Sequence, residues 1–172
     1  PYNSQIKIYK DKLYVIDFEN ILYCYSIKDG NKIWSFKSEN VFIKSQKKLS
    51  IAISDDIIYF NNSVGDINAL NTTNGKLIWQ LPTQNNQIYE DSFLLKSSDL
   101  VATKKSIIFS NNRNQFYSID KKTGILNWNQ KINSSLRPII VDELIFTVSL
   151  EGFLVVINRT TGDIIRVTDL FN

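Results

Sequence analysis

The sequence predicts an all-β fold, a β-propeller built of four-stranded antiparallel blades, and two observations carry that prediction. First, a turn ending in glycine recurs at positions 30, 75, 124 and 162, every 38 to 49 residues, which is the spacing of propeller blades. Second, short β-branched and aromatic runs recur between those turns, and no stretch shows helical periodicity. Four repeats predict about four blades, approximately at residues 5–37, 48–81, 94–131 and 137–168.

Each repeat begins with two short strands joined by a charged tip. The second strand of the pair is rich in β-branched and aromatic residues, as at residues 13–16 and 144–148. A partner run precedes it, as at residues 6–9 and 139–141, and two charged residues separate the runs, as in a tight hairpin. The predicted tips are residues 11–12, 55–56, 104–105 and 142–143.

A third strand, the glycine turn and a fourth strand complete each blade. Runs such as 67–70 and 116–119 predict the third strand. The turn after it needs one residue at positive φ, which glycine adopts without steric cost. The glycines in question, with the tryptophan found four residues after three of them, are Gly30 and Trp34, Gly75 and Trp79, Gly124 and Trp128, and Gly162. In the fourth repeat Arg166 stands where tryptophan is expected.

The composition is that of an ordinary globular domain and excludes several classes of function. The 172 residues carry a net charge of +3, with lysines scattered at turns and not gathered in one stripe, which argues against a nucleic-acid surface. No apolar run is long enough to span a bilayer. The absence of histidine removes catalysis and zinc binding by imidazole. The single cysteine, Cys24, lies in a strand-like run, where we expect a buried, unreactive thiol.

Paired carboxylates are the remaining candidates for catalysis or metal binding. They lie at residues 55–56, 90–91 and 142–143. Two of these pairs occupy the repeat position that is Lys104 and Lys105 in the third copy, so that position requires only a polar tip. Adjacent residues also point apart, which is a poor geometry for chelation. We therefore expect no catalytic residue, no metal site and no bound cofactor.

The repeat resembles that of the pyrroloquinoline-quinone-type (PQQ-type) β-propellers. The shared pattern is alanine or serine, one residue, Asp or Asn, two or three polar residues, glycine, and tryptophan four residues later, clearest at residues 69–79 and 118–128. The resemblance implies that Trp34, Trp79 and Trp128 dock between neighbouring blades, and that docking is weakest where Arg166 replaces the tryptophan. Members of the family are expected to have seven or eight blades, so we expect this chain to be part of a larger propeller.

Some members of the family are quinoprotein dehydrogenases and others bind no cofactor. The dehydrogenases are expected to use a vicinal cysteine pair, whereas this chain has Cys24 alone. Among the cofactor-free members, the whole chain is most similar to the BamB-type lipoproteins of the outer-membrane β-barrel assembly machinery. This similarity implies a non-enzymatic periplasmic scaffold, attached to the outer membrane by a lipid, that binds the periplasmic domains of the assembly pore. Two alternatives remain open: a ligand-binding or sensor propeller domain of a larger protein, and a fragment of a PQQ-dependent dehydrogenase.

Two stretches outside the repeat pattern are candidate partner-binding surfaces. The first is the link at residues 37–48, which contains Phe42. The second is the longer link at residues 82–98, which mixes polar residues with Ile88, Tyr89, Phe93 and Leu94. Long loops on a rigid scaffold often carry function, and exposed aromatic and aliphatic side chains are typical anchors of protein interfaces. The alternative is that these side chains seal the flank of a blade or form its outer strands.

Overall fold

The structure of the chain is a computed structural model that describes residues 2–38, 48–83 and 95–171. Over these residues the regular secondary structure is entirely β, arranged in four four-stranded antiparallel sheets. The predicted fold class, an all-β chain of four-stranded antiparallel blades, is therefore confirmed.

Each sheet is one blade, and its strands follow each other along the chain. Blade 1 contains β1 (Lys7–Tyr9), β2 (Lys12–Ile16), β3 (Ile21–Ser26) and β4 (Lys32–Lys37). Blade 2 contains β5 (Ile51–Ser54), β6 (Ile57–Asn61), β7 (Ile67–Asn71) and β8 (Leu77–Leu81). Blade 3 contains β9 (Val101–Ala102), β10 (Ser106–Asn111), β11 (Gln115–Asp120) and β12 (Leu126–Gln130). Blade 4 contains β13 (Ile139–Val141), β14 (Leu144–Val148), β15 (Phe153–Asn158) and β16 (Ile164–Asp169).

The third and fourth strands of every blade are joined by the same glycine turn. The glycine has φ between 69° and 81°, and its N–H donates to the carbonyl four residues earlier, as from Gly30 to Ser26 at 3.0 Å. In each sheet the pairing of the third strand with the fourth strand shifts close to this turn, for example between Cys24 and Tyr25 in blade 1. The turn and the shift together place Trp34 opposite Cys24, and they place the tryptophans of blades 2 and 3 at the equivalent position.

The first hairpin differs from the sequence prediction by one residue. Tyr9 pairs with Lys12, so the tip consists of Lys10 and Asp11 and not of residues 11–12. The tip of blade 2 is at Asp55 and Asp56, as predicted, and both residues have positive φ, 51° and 61°. Two consecutive residues at positive φ form the type of tight turn whose twist matches the strands. These carboxylates therefore close a hairpin, and Asp56 pairs at the surface with Lys10 at 2.6 Å.

The chain divides into two compact units, Pro1–Leu94 and Leu95–Asn172, each with an apolar cluster between two blades. In the first unit the buried cluster is formed by Tyr14, Ile16, Leu22, Cys24, Leu49, Ile51, Ile58, Phe60 and Leu70. In the second unit it is formed by Ile108, Phe116, Trp128, Ile132, Ile145, Val155 and Ile157. In both clusters, alternate residues of neighbouring strands supply the contacts because successive side chains of a strand point to opposite faces.

In the first unit, Trp34 of blade 1 is docked on the glycine turn of blade 2. Its Nε1–H donates to the backbone carbonyl of Thr72 at 3.2 Å, and the hydroxyl of Tyr14 donates to the same oxygen at 3.1 Å. The indole lies so close to Gly75 that a Cβ there would be 2.7 Å from two ring carbons. Position 75 therefore requires glycine for two reasons: its φ is positive, and the Trp34 ring leaves no room for a Cβ.

In the second unit, Trp128 repeats this arrangement on the turn of blade 4. Its Nε1–H donates to the carbonyl of Arg159 at 2.9 Å, and a Cβ on Gly162 would lie 2.6 Å from the ring. The ring also stacks on Phe116, with an interplanar angle of 6°. Arg166, at the equivalent position of blade 4, is exposed.

Alanine at Gly75 should destabilise the protein more than alanine at Gly30. Both glycines have positive φ, near 70°, so both substitutions incur a backbone cost of about 1–2 kcal/mol. At Gly75 the added methyl group must also displace the Trp34 ring, whereas no atom of the described residues lies within 4 Å of the same position on Gly30. We expect Gly75→Ala to lower the free energy of unfolding by about 1–3 kcal/mol more than Gly30→Ala. Urea denaturation of both variants at one protein concentration measures the difference, and equal losses would contradict the docked geometry.

Candidate functional site

The five residues predicted to bind a partner all lie outside the described residues. Phe42 belongs to residues 39–47, and Ile88, Tyr89, Phe93 and Leu94 belong to residues 84–94. The structure instead describes the points at which the two links leave the blades and return to them.

The first link leaves blade 1 from a buried hydrogen-bonded position. The backbone N–H and the hydroxyl of Ser38 both donate to the carbonyl of Asn20, at 3.3 and 3.2 Å. Asn20 is fully buried, and its Oδ1 accepts from the backbone N–H of Ser63 in the loop between β6 and β7 of blade 2. At the other end, Leu49 donates to the carbonyl of Asn3 and accepts from Gln5, at 2.9 and 3.0 Å. Both ends of the link are therefore fixed to the blades.

The second link has fixed ends as well. In the first unit, the N–H of Thr83 donates to Oδ1 of Asp66 at 3.1 Å, and Asp66 is itself held by Asn62, whose Oδ1 accepts its backbone N–H at 2.9 Å. In the second unit, the N–H of Lys96 donates to Oδ1 of Asn112, and the N–H of Asn112 donates to the carbonyl of Lys96, at 2.8 and 3.0 Å. A segment anchored in this way can present side chains without loosening the sheets.

The third link, residues 131–138, is shorter than the first two links and packs against the second unit, to which it belongs. Ile132 is buried in the apolar cluster of that unit. The buried hydroxyl of Ser134 bonds to the hydroxyl of Thr147 at 3.0 Å and donates to the carbonyl of Val148 at 2.8 Å. Leu136, an apolar residue of this link, is 55% exposed. This link therefore completes the fold, whereas the first two are the long insertions.

Five buried side chains hold polar atoms without a hydrogen-bond partner among the described residues. They are Nδ2 of Asn20, both amide atoms of Asn68, Oγ1 of Thr83, Oγ of Ser110 and Oδ1 of Asn133. Buried polar atoms in folded proteins are normally paired with protein or with ordered water. These atoms are thus places where water or an incoming polar group would be favourable.

A cluster of tyrosines on blade 1 was not among the sequence candidates. The hydroxyls of Tyr2 and Tyr25 are 3.0 Å apart, and the rings of Tyr23 and Tyr25 stack at 6.0 Å. The hydroxyl of Tyr23 donates to Oδ2 of Asp17 at 2.9 Å. Burial is the main cause, and the hydrogen bond to Asp17 the second cause, of a rise in the pKa of Tyr23 to about 12. The hydrogen bond with Tyr2 is the main cause of a similar rise in the pKa of Tyr25. The sequence signal for this cluster is the spacing of Tyr23 and Tyr25 on either side of Cys24, because alternate residues of a strand place their side chains on the same face of β3.

The described residues, 2–38, 48–83 and 95–171, hold neither a cluster of metal-ligating side chains nor an exposed thiol. Within those ranges no group of three or more Cys, Asp and Glu side chains is placed to hold a metal ion. Burial raises the pKa of the Cys24 thiol, and Cys24 lies in the core between blades 1 and 2. Nor do those ranges contain a helix long and apolar enough to cross a membrane.

The chain matches a protein family described as outer membrane protein assembly factor BamB over residues 2–168. A curated relative, the outer membrane protein assembly factor BamB of Legionella pneumophila (strain Paris), is 23% identical over 116 residues, which are 66% of this chain and 27% of that protein.

Solved structures show the same fold. BamB from Moraxella catarrhalis superimposes with a TM-score of 0.79 at 19% identity, over 96% of this chain and 51% of that chain. Quinohemoprotein alcohol dehydrogenase from Comamonas testosteroni superimposes with a TM-score of 0.76 at 12% identity, over 98% of this chain and 35% of that one. The chain thus spans about half the length of the solved BamB that it matches.

Cys24 should not react with a thiol reagent while the protein is folded. The side chain has no exposed surface, and its raised pKa leaves less thiolate at pH 8 than in a free cysteine. We expect Ellman's reagent to release one equivalent of chromophore only after the chain is unfolded in guanidinium. A full equivalent released within minutes from the folded protein would show that the thiol is accessible.

Proposed function

Since the chain belongs to the family described as outer membrane protein assembly factor BamB, we propose that it is a protein-binding scaffold and not an enzyme. Its partner would be the periplasmic domains of the outer-membrane assembly pore. It would act in the periplasm, held at the outer membrane by a lipid, as the resemblance to the BamB-type lipoproteins implies. Because the chain covers about half of the solved relative, this role is proposed for the chain as part of such a scaffold.

The anchoring of the two long links is the observation that supports this proposal most directly. Ser38 and Thr83 fix the points where the links leave blades 1 and 2, through Asn20 and Asp66. Each link then carries aromatic or large aliphatic residues, Phe42 in the first and Phe93 with Leu94 in the second. Interfaces obtain most of their binding energy from a few such anchors, and a rigid base reduces the entropy lost when they bind.

A dehydrogenase role is the second candidate, because the fold is also that of a quinohemoprotein alcohol dehydrogenase. The residues of this chain do not favour it. Its single cysteine cannot form the vicinal pair expected beside a quinone, and the side chain of Cys24 is buried between blades. If the chain did bind PQQ with calcium, saturating amounts of both would raise its thermal midpoint by ligand linkage. No rise would exclude this candidate.

Serine at Phe93 and Leu94 should weaken partner binding while leaving the fold intact. Removing two apolar anchors from an interface costs more than about 1.4 kcal/mol, so we expect the dissociation constant to rise at least about tenfold. Biolayer interferometry with the purified periplasmic domains of the assembly pore measures it. The matched control is Leu77→Ser with Ile78→Ser, an adjacent apolar pair on β8 that is 46% and 45% exposed.

Three outcomes would overturn or redirect the proposal. Absence of binding by the unchanged chain would refute the assigned partner. Equal binding by the Phe93 and Leu94 variant would show that the second link is not the contact. Loss of cooperative unfolding in that variant would assign these two side chains to the core.

A further inference from the structure

The end of blade 3 that carries the glycine turn brings two pairs of lysines together. Lys104 and Lys105 form the hairpin tip between β9 and β10. Lys121 and Lys122 lie in the glycine turn between β11 and β12. The backbone N–H of Lys121 donates to the carbonyl of Lys105 at 3.0 Å, which joins the two turns, and its buried Nζ donates to the carbonyl of Thr103 at 3.2 Å. Two pairs that are far apart in the sequence thus form one cationic surface, which we call the lysine tip.

The charge of the lysine tip is not neutralised by the described residues. Lys104, Lys105 and Lys122 are exposed, and no described carboxylate forms an ion pair with any of them. The carboxylate of these two turns, Asp120, accepts instead from the backbone N–H groups of Lys122 and Thr123, both at 2.9 Å. Four lysines and one aspartate give the two turns a charge of +3, which is the net charge of the whole chain. The rest of the chain is therefore neutral overall.

The equivalent hairpin tips of blades 2 and 4 carry carboxylates that are paired. Asp56 of blade 2 binds Lys10 at 2.6 Å, and Glu143 of blade 4 binds Arg159 at 2.6 Å. The hairpin therefore forms with either sign of charge at its tip. Like charges repel, so a cluster of lysines without such partners is a surface at which an anion binds favourably.

An exposed isoleucine lies in the same glycine turn as Lys122. The residue after the turn glycine is Ile125 in blade 3, and it is 67% exposed. In the other three blades this residue is polar: Asn31, Lys76 and Asp163. The turn does not require an apolar residue at this position, so Ile125 is a second feature that distinguishes this end of blade 3.

We propose that the lysine tip and Ile125 bind the surface of a bilayer that contains anionic lipids. Ammonium groups attract anionic headgroups without a strict requirement for geometry. An aliphatic side chain beside them enters the boundary between the headgroups and the acyl chains. A soluble acidic segment of another protein would account for the lysines, but it would give no role to the exposed isoleucine.

This surface lies at the opposite end of blade 3 from the second link. Lys105 comes immediately before the first residue of β10, whereas Asn112 comes immediately after its last residue. The second link returns at Lys96, whose N–H donates to Oδ1 of Asn112 at 2.8 Å. Membrane binding through the lysine tip therefore leaves the link end of the blade accessible, and it does not depend on the proposed protein partner.

Sedimentation of the chain with sucrose-loaded vesicles tests the proposal. We expect binding to vesicles of mixed phosphatidylglycerol and phosphatidylcholine that weakens as salt is added, and little binding to phosphatidylcholine alone. Lys104→Glu with Lys105→Glu should weaken binding to the anionic vesicles at least about tenfold, since each lysine near such a surface contributes severalfold to the affinity. Ile125→Ser should weaken it about threefold or more, because the buried aliphatic area is lost.

Matched controls lie on the third link, at the other end of β12 from the glycine turn. Lys131→Glu with Arg137→Glu makes the same change in net charge at two exposed residues, and it should retain most of the binding. Leu136→Ser removes an aliphatic side chain that is 55% exposed and should have little effect. The thermal midpoints of all variants should match that of the unchanged chain, since blades 2 and 4 already carry carboxylates at the tip position.

Four outcomes would overturn the inference. The first is no binding to anionic vesicles, or equal binding to neutral ones. The second is an equal loss of binding in the Lys131 and Arg137 variant, which would assign the effect to net charge and not to the lysine tip. The third is binding that Ile125→Ser leaves unchanged and that soluble polyglutamate competes away, which would indicate an acidic polypeptide as the partner. The fourth is complete displacement by inorganic phosphate at constant ionic strength, which would indicate a site for a single soluble anion.

Discussion

The contact between an indole and a glycine turn is the interaction on which each unit depends. A four-stranded sheet has two faces, and it gains stability only when it buries at least one of them against a neighbour. In the first unit, one carbonyl, that of Thr72, accepts hydrogen bonds from Trp34, Tyr14 and Lys12, while the Trp34 ring lies on Gly75. This contact fixes how far blade 1 can rotate or slide on blade 2. The apolar cluster behind it then packs in one register.

The glycine has a double role in that contact, and this explains why the repeat is recognisable in a sequence so variable elsewhere. The positive φ of Gly75 disfavours most side chains. The Trp34 ring, whose carbons would lie 2.7 Å from a Cβ at this position, leaves no room even for the methyl group of alanine. Other residues of the turn tolerate exchange: the carbonyl that accepts the indole N–H comes from Thr72 in one unit and Arg159 in the other. A backbone acceptor is independent of the side chain, so the sequence is free to vary there.

The strands could be predicted from the sequence because their signals are local. Alternating apolar runs, charged tips and the turn glycines are each contained within a few residues, and only the first tip was misplaced, by one residue, at Lys10. The tyrosine cluster was missed because it needs Tyr2 to meet Tyr25 across 23 residues of chain. The anchors of the links were missed for the same reason: Ser38 meets Asn20, and Thr83 meets Asp66, through tertiary contacts that leave no periodic pattern. The five predicted contact residues lie on links that no repeat constrains, and they remain predictions.

The fourth repeat separates two features that the first and third repeats combine with their neighbours. A blade receives an indole on its glycine turn and presents an indole from its fourth strand, and these features depend on different residues. Blade 4 keeps the first feature, since Gly162 has φ 81° and lies against the ring of Trp128. It lacks the second, because Arg166 pairs with Val156 at the position where Trp34 pairs with Cys24 in blade 1. The contact between blades 3 and 4 therefore constrains Gly162 and not position 166, so this repeat can lose its tryptophan without loosening its contact with blade 3.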